Sequence, residues 1–530
     1  MKMNRTLLVR ALFAGTAMLM STAAFAQEAE PQPDTSDATA DAAIAAAGNV
    51  DDAQSKIELL QAQVEALQES LAQIQAAMVK TTPTWKGAPL YEDKEAGWSF
   101  KPRGRLQYDV GYVSNPNDSV VTRNLGFNTR ARRIRLGAEG TIPGGFGYKA
   151  EMDYANGSVG FGDVILTYAS KSSPLTVAIG NQETLNGLEQ ISSSRFSSFV
   201  ERAAFDDAFI NTRRLGLNVG YGNKAGDLRV NAGLFAAHSI DSSLDNDGWI
   251  GATRIVYSPL SGANQLHFGV NYQHREFQSN NGATVASSSG QPSTNQLARY
   301  RARPFTQLTD QRFVDTGNFA AASDDIIGLE AAGIFKSLHL AAEGQYLRAR
   351  GYDAFDRIIP SASEPTDVLD LFPSATQYVA SGDPSFWGGY VEAGYFLTGE
   401  TRGYKAGAWD RTKVLKPFSK GGIGAVQVIG RLDYLDLDSG RLRGGCTNNF
   451  VTGISCTTAA SQAGKGGRQL GFLGGVTWIP EDYMRVLLNY SHAAITGGPL
   501  AATANPTSAA PVNKRKYSND TVQARFQIDF

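Results

Sequence analysis

The sequence predicts an all-β transmembrane protein: a 16-stranded antiparallel outer-membrane β-barrel with an N-terminal coiled-coil helix. Three observations carry this reading. From about residue 101 apolar residues alternate with polar or small ones over segments of roughly 8 to 13 residues, the period of a strand with two different faces. The connections between these segments alternate between tight turns and long loops. After the first 26 residues no stretch approaches the ~18 to 20 uninterrupted apolar residues of a membrane helix, so a membrane-spanning chain must satisfy its backbone by closing a barrel.

Residues 1–26, MKMNRTLLVRALFAGTAMLMSTAAFA, read as a signal peptide: Lys2, Arg5 and Arg10, an apolar run, then Ala24-Phe25-Ala26 as the cleavage site. Residues 27–50, rich in Ala, Asp, Pro and Gln, read as a disordered spacer. Residues 51–80 carry Ile57, Leu60, Val64, Leu67, Leu71, Ile74 and Met78 at alternating spacings of three and four, the seam of a short periplasmic coiled coil. So short a coil is marginal unless chains are already held together, so it implies an oligomer; the plain alternative is an isolated surface helix. Residues 81–100 read as a linker. Charge divides along the same line: residues 27–100 hold 13 acids and 4 bases, residues 101–530 hold 42 bases and 38 acids.

The expected strands are 102–113, 128–141, 145–156, 160–170, 174–181, 212–222, 226–237, 248–258, 263–275, 325–336, 337–349, 385–399, 422–437, 468–479, 482–493 and 519–530. IPGG, KSSP, GNKAG, PLSG, FKS and IPED make tight turns. Segment 157–159 is short on the long side, 400–421 is long on the short side, and loop 276–324 has room for a further hairpin. The chain ends in TVQARFQIDF, with Val522, Ala524, Phe526, Ile528 and Phe530 on one face, as a lipid-facing closing strand requires. An even strand count brings both ends of the barrel to the periplasmic face.

Phase along each strand separates lipid from lumen. Charges at the bilayer midplane cost roughly 2 to 4 kcal/mol, so they belong inside. This places Arg105, Arg133, Arg135, Glu139, Lys149, Glu151, Asp153, Arg214, Arg229, Arg431, Asp433 and Arg485 in the lumen. In NTRARRIRLGAEG (128–140) the same parity turns Arg130 and Arg132 outward, to the extracellular rim. The luminal arginines suit oxyanions because a guanidinium fork matches phosphate or carboxylate oxygens, but pairing with Glu139, Glu151 and Asp153 to brace the wall is the plainer role.

Loop 182–211 is too long for a turn, and Phe196, Phe199, Val200 and Phe205 are spaced to pack against a wall. Folded inward, it constricts the pore. Arg195 and Arg202 then favour anions, while Glu201, Asp206 and Asp207 oppose them. Cys446 and Cys456, in a polar segment between strands, read as a disulfide stapling a loop.

Several blocks resemble the phosphate-selective porin family of trimeric outer-membrane anion channels in Gram-negative bacteria: FNTRARRIRLGAEGTIPGGFGYKAEMDYA, ISSSRFSSFVERAAFDDAFINTRRLGLNVG, FWGGYVEAGYFLTGETRGYK with LTGE at 397–400, GAVQVIGRLDYLDL, and GGRQLGFLGGVTWIPEDYMRVLLNYSH. The resemblance spans about residues 100–530. It implies sixteen strands, a homotrimer and passive diffusion of small anions such as phosphate, with Arg195 and Arg202 matching the inward loop and Arg133 and Arg135 the basic wall hairpin. The loop departs from the family pattern in having no lysine and three acids, which leaves phosphate, polyphosphate, other small anions and a general mixture open.

No enzyme is expected. Histidines 238, 267, 274, 339 and 492 are scattered, and no nucleophile, histidine and acid are grouped. Neither a cofactor nor a metal is implied. The alternative function is a general or sugar-permeable porin with weak ion preference, which also tethers the envelope through its coiled coil. The expected partners are further copies of the chain, small anions, outer-membrane lipid and cell-wall peptidoglycan, with no nucleic acid.

Overall fold

The computed structural model describes residues 57–71 and 83–530, apart from 117–119, 122, 156, 158, 210, 238–239, 241–247, 260–261, 263, 278–296, 318, 352–376, 381, 450–452, 457–465 and 502–509. The signal peptide, the spacer and His238 lie outside the described residues. Two units separate, Met1–Ala76 and Ala77–Phe530. In the first, residues 57–71 form a helix on which Ile57, Leu60, Val64, Leu67 and Leu71 are all exposed; Ile74 and Met78 of the expected seam lie outside the described residues. No described helix is long and apolar enough to cross a membrane.

The second unit is a closed antiparallel barrel of sixteen strands: β1 (Trp98–Val113), β2 (Gly126–Ile142), β3 (Phe146–Asp153), β4 (Gly160–Ala169), β5 (Leu175–Gln182), β6 (Arg214–Gly222), β7 (Leu228–Ala236), β8 (Trp249–Tyr257), β9 (Asn264–Glu276), β10 (Phe319–Phe335), β11 (Leu338–Gly351), β12 (Ser385–Phe396), β13 (Ala425–Asp436), β14 (Arg468–Glu481), β15 (Met484–Thr496) and β16 (Lys516–Asp529). Each strand pairs with the next, and β16 returns to β1 in the register Thr521↔Val113 to Asp529↔Arg105. Closure leaves no edge to be solvated, which is what a bilayer demands. A short hairpin, Thr84–Trp85 with Pro89–Asp93, continues onto the start of β1 within the expected linker.

Alternation sorts the two faces as the residues predict. Tyr108, Leu136, Leu329, Leu488 and Phe526 are exposed outward, while Arg105, Gln107, Asp109, Arg431 and Asp433 are buried inward. Aromatic rings ring the outer wall twice. Phe146, Tyr168, Tyr221, Tyr257, Phe335 and Tyr395 stand at the end bearing the tight turns, and Tyr112, Phe127, Trp249, Tyr272, Tyr346, Trp387 and Tyr490 at the long-loop end. Such girdles mark the two interfaces of a membrane band. The tightest turns follow local chemistry: Gly144 and Gly145, both with φ near +95°, close the β2–β3 hairpin where a side chain would be strained.

One stretch departs from the predicted phase. Between β1 and β2 the register runs Gln107↔Arg133 and then Tyr108↔Ala131, so Arg132 has no partner and forms a β-bulge. The extra residue reverses the parity on its N-terminal side. Arg130 and Arg132, expected on the outer rim, therefore turn into the lumen together with Arg133 and Arg135, and Phe127 takes the outward position.

The largest apolar core lies inside the barrel. Phe199, Phe205 and Phe209 from the β5–β6 loop pack with Tyr300, Phe305 and Phe313 from the β9–β10 loop against Phe319, Ile326, Phe386 and Leu435 of the wall. The room for a hairpin in 276–324 is used by a two-residue one, Arg301–Ala302 with Val314–Asp315. A hairpin outside the barrel pairs Cys446 directly across from Cys456 along the backbone; the two side chains lie outside the described residues.

At the seam, Gly104 and Phe530 exchange two backbone hydrogen bonds of 3.0 Å, and the Phe530 ring covers the glycine so closely that an added Cβ would come within 2.2 Å of it. Overpacking a filled site costs about 1 to 3 kcal/mol. Gly104→Val is expected to lower the midpoint of heat unfolding, read as the gel shift between folded and unfolded barrel.

Candidate pore constriction

The β5–β6 loop, residues 183–213, crosses the lumen and is fastened to the far wall at successive points. Leu188 and Glu189 donate their backbone N–H groups to Glu343 on β11 at 2.6 and 2.9 Å. Ser198 donates to Glu392 on β12 at 2.6 Å, and Val200 donates its N–H to Asn489 on β15 at 2.7 Å. Arg431 on β13 sits between Glu189 of the loop and Glu392, 2.6 Å from each. Phe205 seats on Gly388, where an added Cβ would lie 2.7 Å from the Phe205 Cβ, so the wall is notched to receive the loop.

A second chain of ion pairs fastens the loop to the barrel seam. Arg525 on β16 donates to both oxygens of Asp109 on β1, at 2.6 and 2.7 Å, and to Glu201 of the loop at 2.7 Å. Glu201 in turn accepts a two-point contact from the bulge residue Arg132, at 2.8 and 3.1 Å. Burial pushes the Glu201 carboxyl up, but Arg132 and Arg525 outweigh it and hold it well below the usual carboxylate range.

Beside this bridge opens a cavity of about 310 Å³. Its lining includes six arginines, Arg132, Arg133, Arg135, Arg202, Arg213 and Arg303, against four acids, Glu183, Glu201, Asp206 and Asp207. Most of these charges are paired: Arg135 with Glu151 and Asp153, Arg213 with Asp163 and Glu183, and Arg303 with Asp207. Two arginines differ. Arg133 donates to the amide oxygen of Gln107 at 2.8 Å, and Arg202 donates to Gln190 and to the carbonyl of Ser192; among the described residues neither has a carboxylate within 4.0 Å. Neutral acceptors orient these two guanidinium groups without neutralising them. They can therefore offer charge and donors to an anion in the cavity.

The other expected residues are distributed around this cavity. Arg105 lies behind the loop, bonded to Ser194 at 2.6 Å and 3.7 Å from Glu151. Arg195 faces the short-turn end, 3.6 Å from Asp529 and over the Phe196 ring. Glu139 is paired with Arg103. Arg214 caps carbonyls of Ala237 and Arg213, and Arg229 bonds the carbonyl of Gly226 in the β6–β7 turn, so neither lines the constriction. Of the acids expected to oppose the cations, Glu201 is neutralised by two arginines and Asp207 by Arg303 and Arg312. Asp206 makes no hydrogen bond with either oxygen among the described residues.

Two contributors escaped the sequence reading. The β9–β10 loop enters the lumen, where Thr306 donates to Gln523 and brings Arg303 to the cavity. From the opposite end the β12–β13 connection, 397–424, also folds inward. Trp409 donates its N–H to Ser192 of the crossing loop at 2.9 Å, Arg402 donates to the carbonyl of Phe196, and Tyr404 is held by His267 at 2.6 Å. Arg402, Arg411 and Arg485 surround a small gap there. The signal for this element was the unusual length of 400–421 among tight turns.

The sequence model of the family described as phosphate-selective porin O and P matches residues 100–530. A protein of Caulobacter vibrioides is 32% identical over 465 residues, covering 86% of this chain and 78% of that one. Porin O of Pseudomonas aeruginosa is 27% identical over 425 residues, covering 76% of this chain and 84% of that one. Among solved structures, an anion-selective porin from Comamonas acidovorans is 14% identical with a TM-score of 0.42, covering 82% of this chain and 100% of that one.

Two predictions follow from the bridge. Arg525→Ala strands Asp109 as an unpaired buried carboxylate and leaves Glu201 with Arg132 alone, and breaking a buried pair in this way costs about 3 to 5 kcal/mol, measurable as a lower denaturant midpoint. The second concerns pH. A carboxyl whose folded-state pKa is depressed adds stability above its unfolded value of about 4.3 and loses it as pH falls further. Stability measured between pH 6 and pH 3 is expected to fall more steeply in the wild type than in Glu201→Gln.

Proposed function

We propose that this chain, which belongs to the phosphate-selective porin O and P family, is a passive outer-membrane channel for small anions, with phosphate and related oxyanions as its preferred solutes. The carrying observation is the pair Arg133 and Arg202 at the cavity beside the crossing loop, two cations held by neutral acceptors and left without a carboxylate among the described residues.

The physical course is diffusion down a gradient. Arginines along the lumen raise the local anion concentration, and at the constriction the guanidinium forks replace part of the hydration shell. Tetrahedral oxyanions fit better than halides because two forks can each engage two oxygens. Release toward the short-turn side, which we assign to the periplasm, passes Arg195, Arg402, Arg411 and Arg485, so no single site need bind tightly. We further propose that the chain works as a homotrimer and that the exposed seam of helix 57–71 associates with the same helix of other copies, in reach of cell-wall peptidoglycan. A general porin with weak ion preference is the competing reading, favoured by the many arginines already paired to acids.

The test is the reversal potential of the purified protein in a planar bilayer under a potassium chloride gradient, followed by phosphate titration. A potential on the anion side and block of chloride current by phosphate are expected, with block weakened about tenfold in Arg202→Ala, since one charge-assisted contact is worth ~1.5 kcal/mol or more. A potential near zero without block would establish the general porin instead.

A further inference from the structure

We propose that Asp206 is held un-ionised beside the constriction, and that its ionisation at alkaline pH weakens the preference for anions. The inference rests on the anion-channel reading above and adds a specificity-determining residue to it.

Asp206 lies in the helical turn Ala204–Phe209 of the crossing loop, is 7% exposed and borders the 310 Å³ cavity. Neither carboxyl oxygen has a hydrogen-bond partner among the described residues. What surrounds it explains why. From its own loop come Glu189, Arg202 and Asp207, from β11 Glu343, from β12 Tyr390 and Glu392, from β13 Arg431 and Asp433, and from the β9–β10 loop Arg301 and Arg303.

Arg301 is exposed to solvent, and the other cations in this set are engaged elsewhere. Arg431 is shared by Glu189 and Glu392, Arg202 is turned to Gln190 and Ser192, and Arg303 is paired with Asp207. The backbone donors nearby are also taken: Ala204 N–H goes to Asp433, and Leu188 and Glu189 N–H go to Glu343. A carboxylate there would sit among other carboxyls with no donor of its own. A carboxylic acid needs no such donor, and with both oxygens buried it adds no charge beside the cavity.

Burial first, then the Glu189 and Glu343 carboxyls, push the Asp206 carboxyl well above its ordinary range, with Arg202 and Arg431 pulling the other way. A group raised in this way is neutral below its shifted value and charges as pH rises through it. In the neutral form, the cavity lining offers six arginines against the carboxylates of Glu183, Glu201 and Asp207. Ionisation adds a fourth negative charge beside Arg202, so an anion in the cavity meets repulsion.

The experiment uses the full chain in planar bilayers and potassium chloride alone, because phosphate itself titrates in this range. The chloride-to-potassium permeability ratio is read from the reversal potential between pH 6 and pH 9.5. In the wild type it is expected to fall about threefold or more, because an added negative charge lowers the local concentration of anions and raises that of cations. In Asp206→Asn it should stay flat over the same range and exceed the wild-type value at pH 9.5. Asp206→Ser serves the same purpose with a smaller side chain should the amide impair assembly. A flat wild-type profile, or a fall that persists in the variants, overturns the role of Asp206. Absence of anion preference at pH 6 in the wild type would instead overturn the channel reading on which it rests.

Discussion

The chain of charges Asp109, Arg525, Glu201 and Arg132 ties together the three features on which the pore depends. Arg525 and Asp109 lie on β16 and β1, so their contact spans the seam that closes the barrel. Glu201 belongs to the loop that crosses the lumen. Arg132 is the bulge residue, which reaches Glu201 only because it is the extra residue in its strand. Removing one partner of a buried ion pair is costly, so displacing the loop would leave Arg132 without its carboxylate and take from Arg525 one of its two. Arg431, between Glu189 and Glu392, imposes the same condition on the opposite side. A constriction held by such contacts stays fixed in width, as diffusion through a passive channel requires.

Strand positions were legible because period-two alternation is enforced residue by residue. A charge facing lipid is costly, and all sixteen expected segments correspond to strands. The bulge at Arg132 was not legible, since one extra residue changes no composition and leaves both flanking runs alternating correctly. Its trace was there all the same: a single parity for NTRARRIR puts two arginines in lipid, whereas a shift between Arg132 and Arg133 puts all four in water. The inward loops were only partly legible. The aromatics of the β5–β6 loop indicated packing, and Phe199 and Phe205 are buried as expected. Which guanidinium keeps its charge free is set by contacts hundreds of residues apart, such as Arg525 with Glu201, and no local pattern records those.

The lumen is rich in arginine, yet few of these arginines are available to a solute. Arg135, Arg213, Arg303 and Arg525 are bound to carboxylates, and each such pair contributes little net field at a distance. Counting basic residues therefore overstates the attraction for anions. Arg133 and Arg202 differ because glutamine and backbone carbonyls fix their orientation. An amide oxygen accepts a donor without cancelling its charge, so orientation and charge are retained together.

This division of labour also addresses the conflict inherent in a selective channel. A cluster of unpaired arginines would hold an oxyanion too tightly to pass it on, whereas a fully paired lumen would not distinguish anions from cations. Interleaving neutralised arginines with a few oriented, uncancelled ones produces shallow sites in sequence. In the proposed channel the two inward elements from opposite ends, the β5–β6 loop and the 397–424 connection, bring such sites close together, with Arg202 on one side of the crossing loop and Arg402 and Arg485 on the other. On that proposal, a solute leaving the first would meet the second before it is fully rehydrated, and the step between them would stay small.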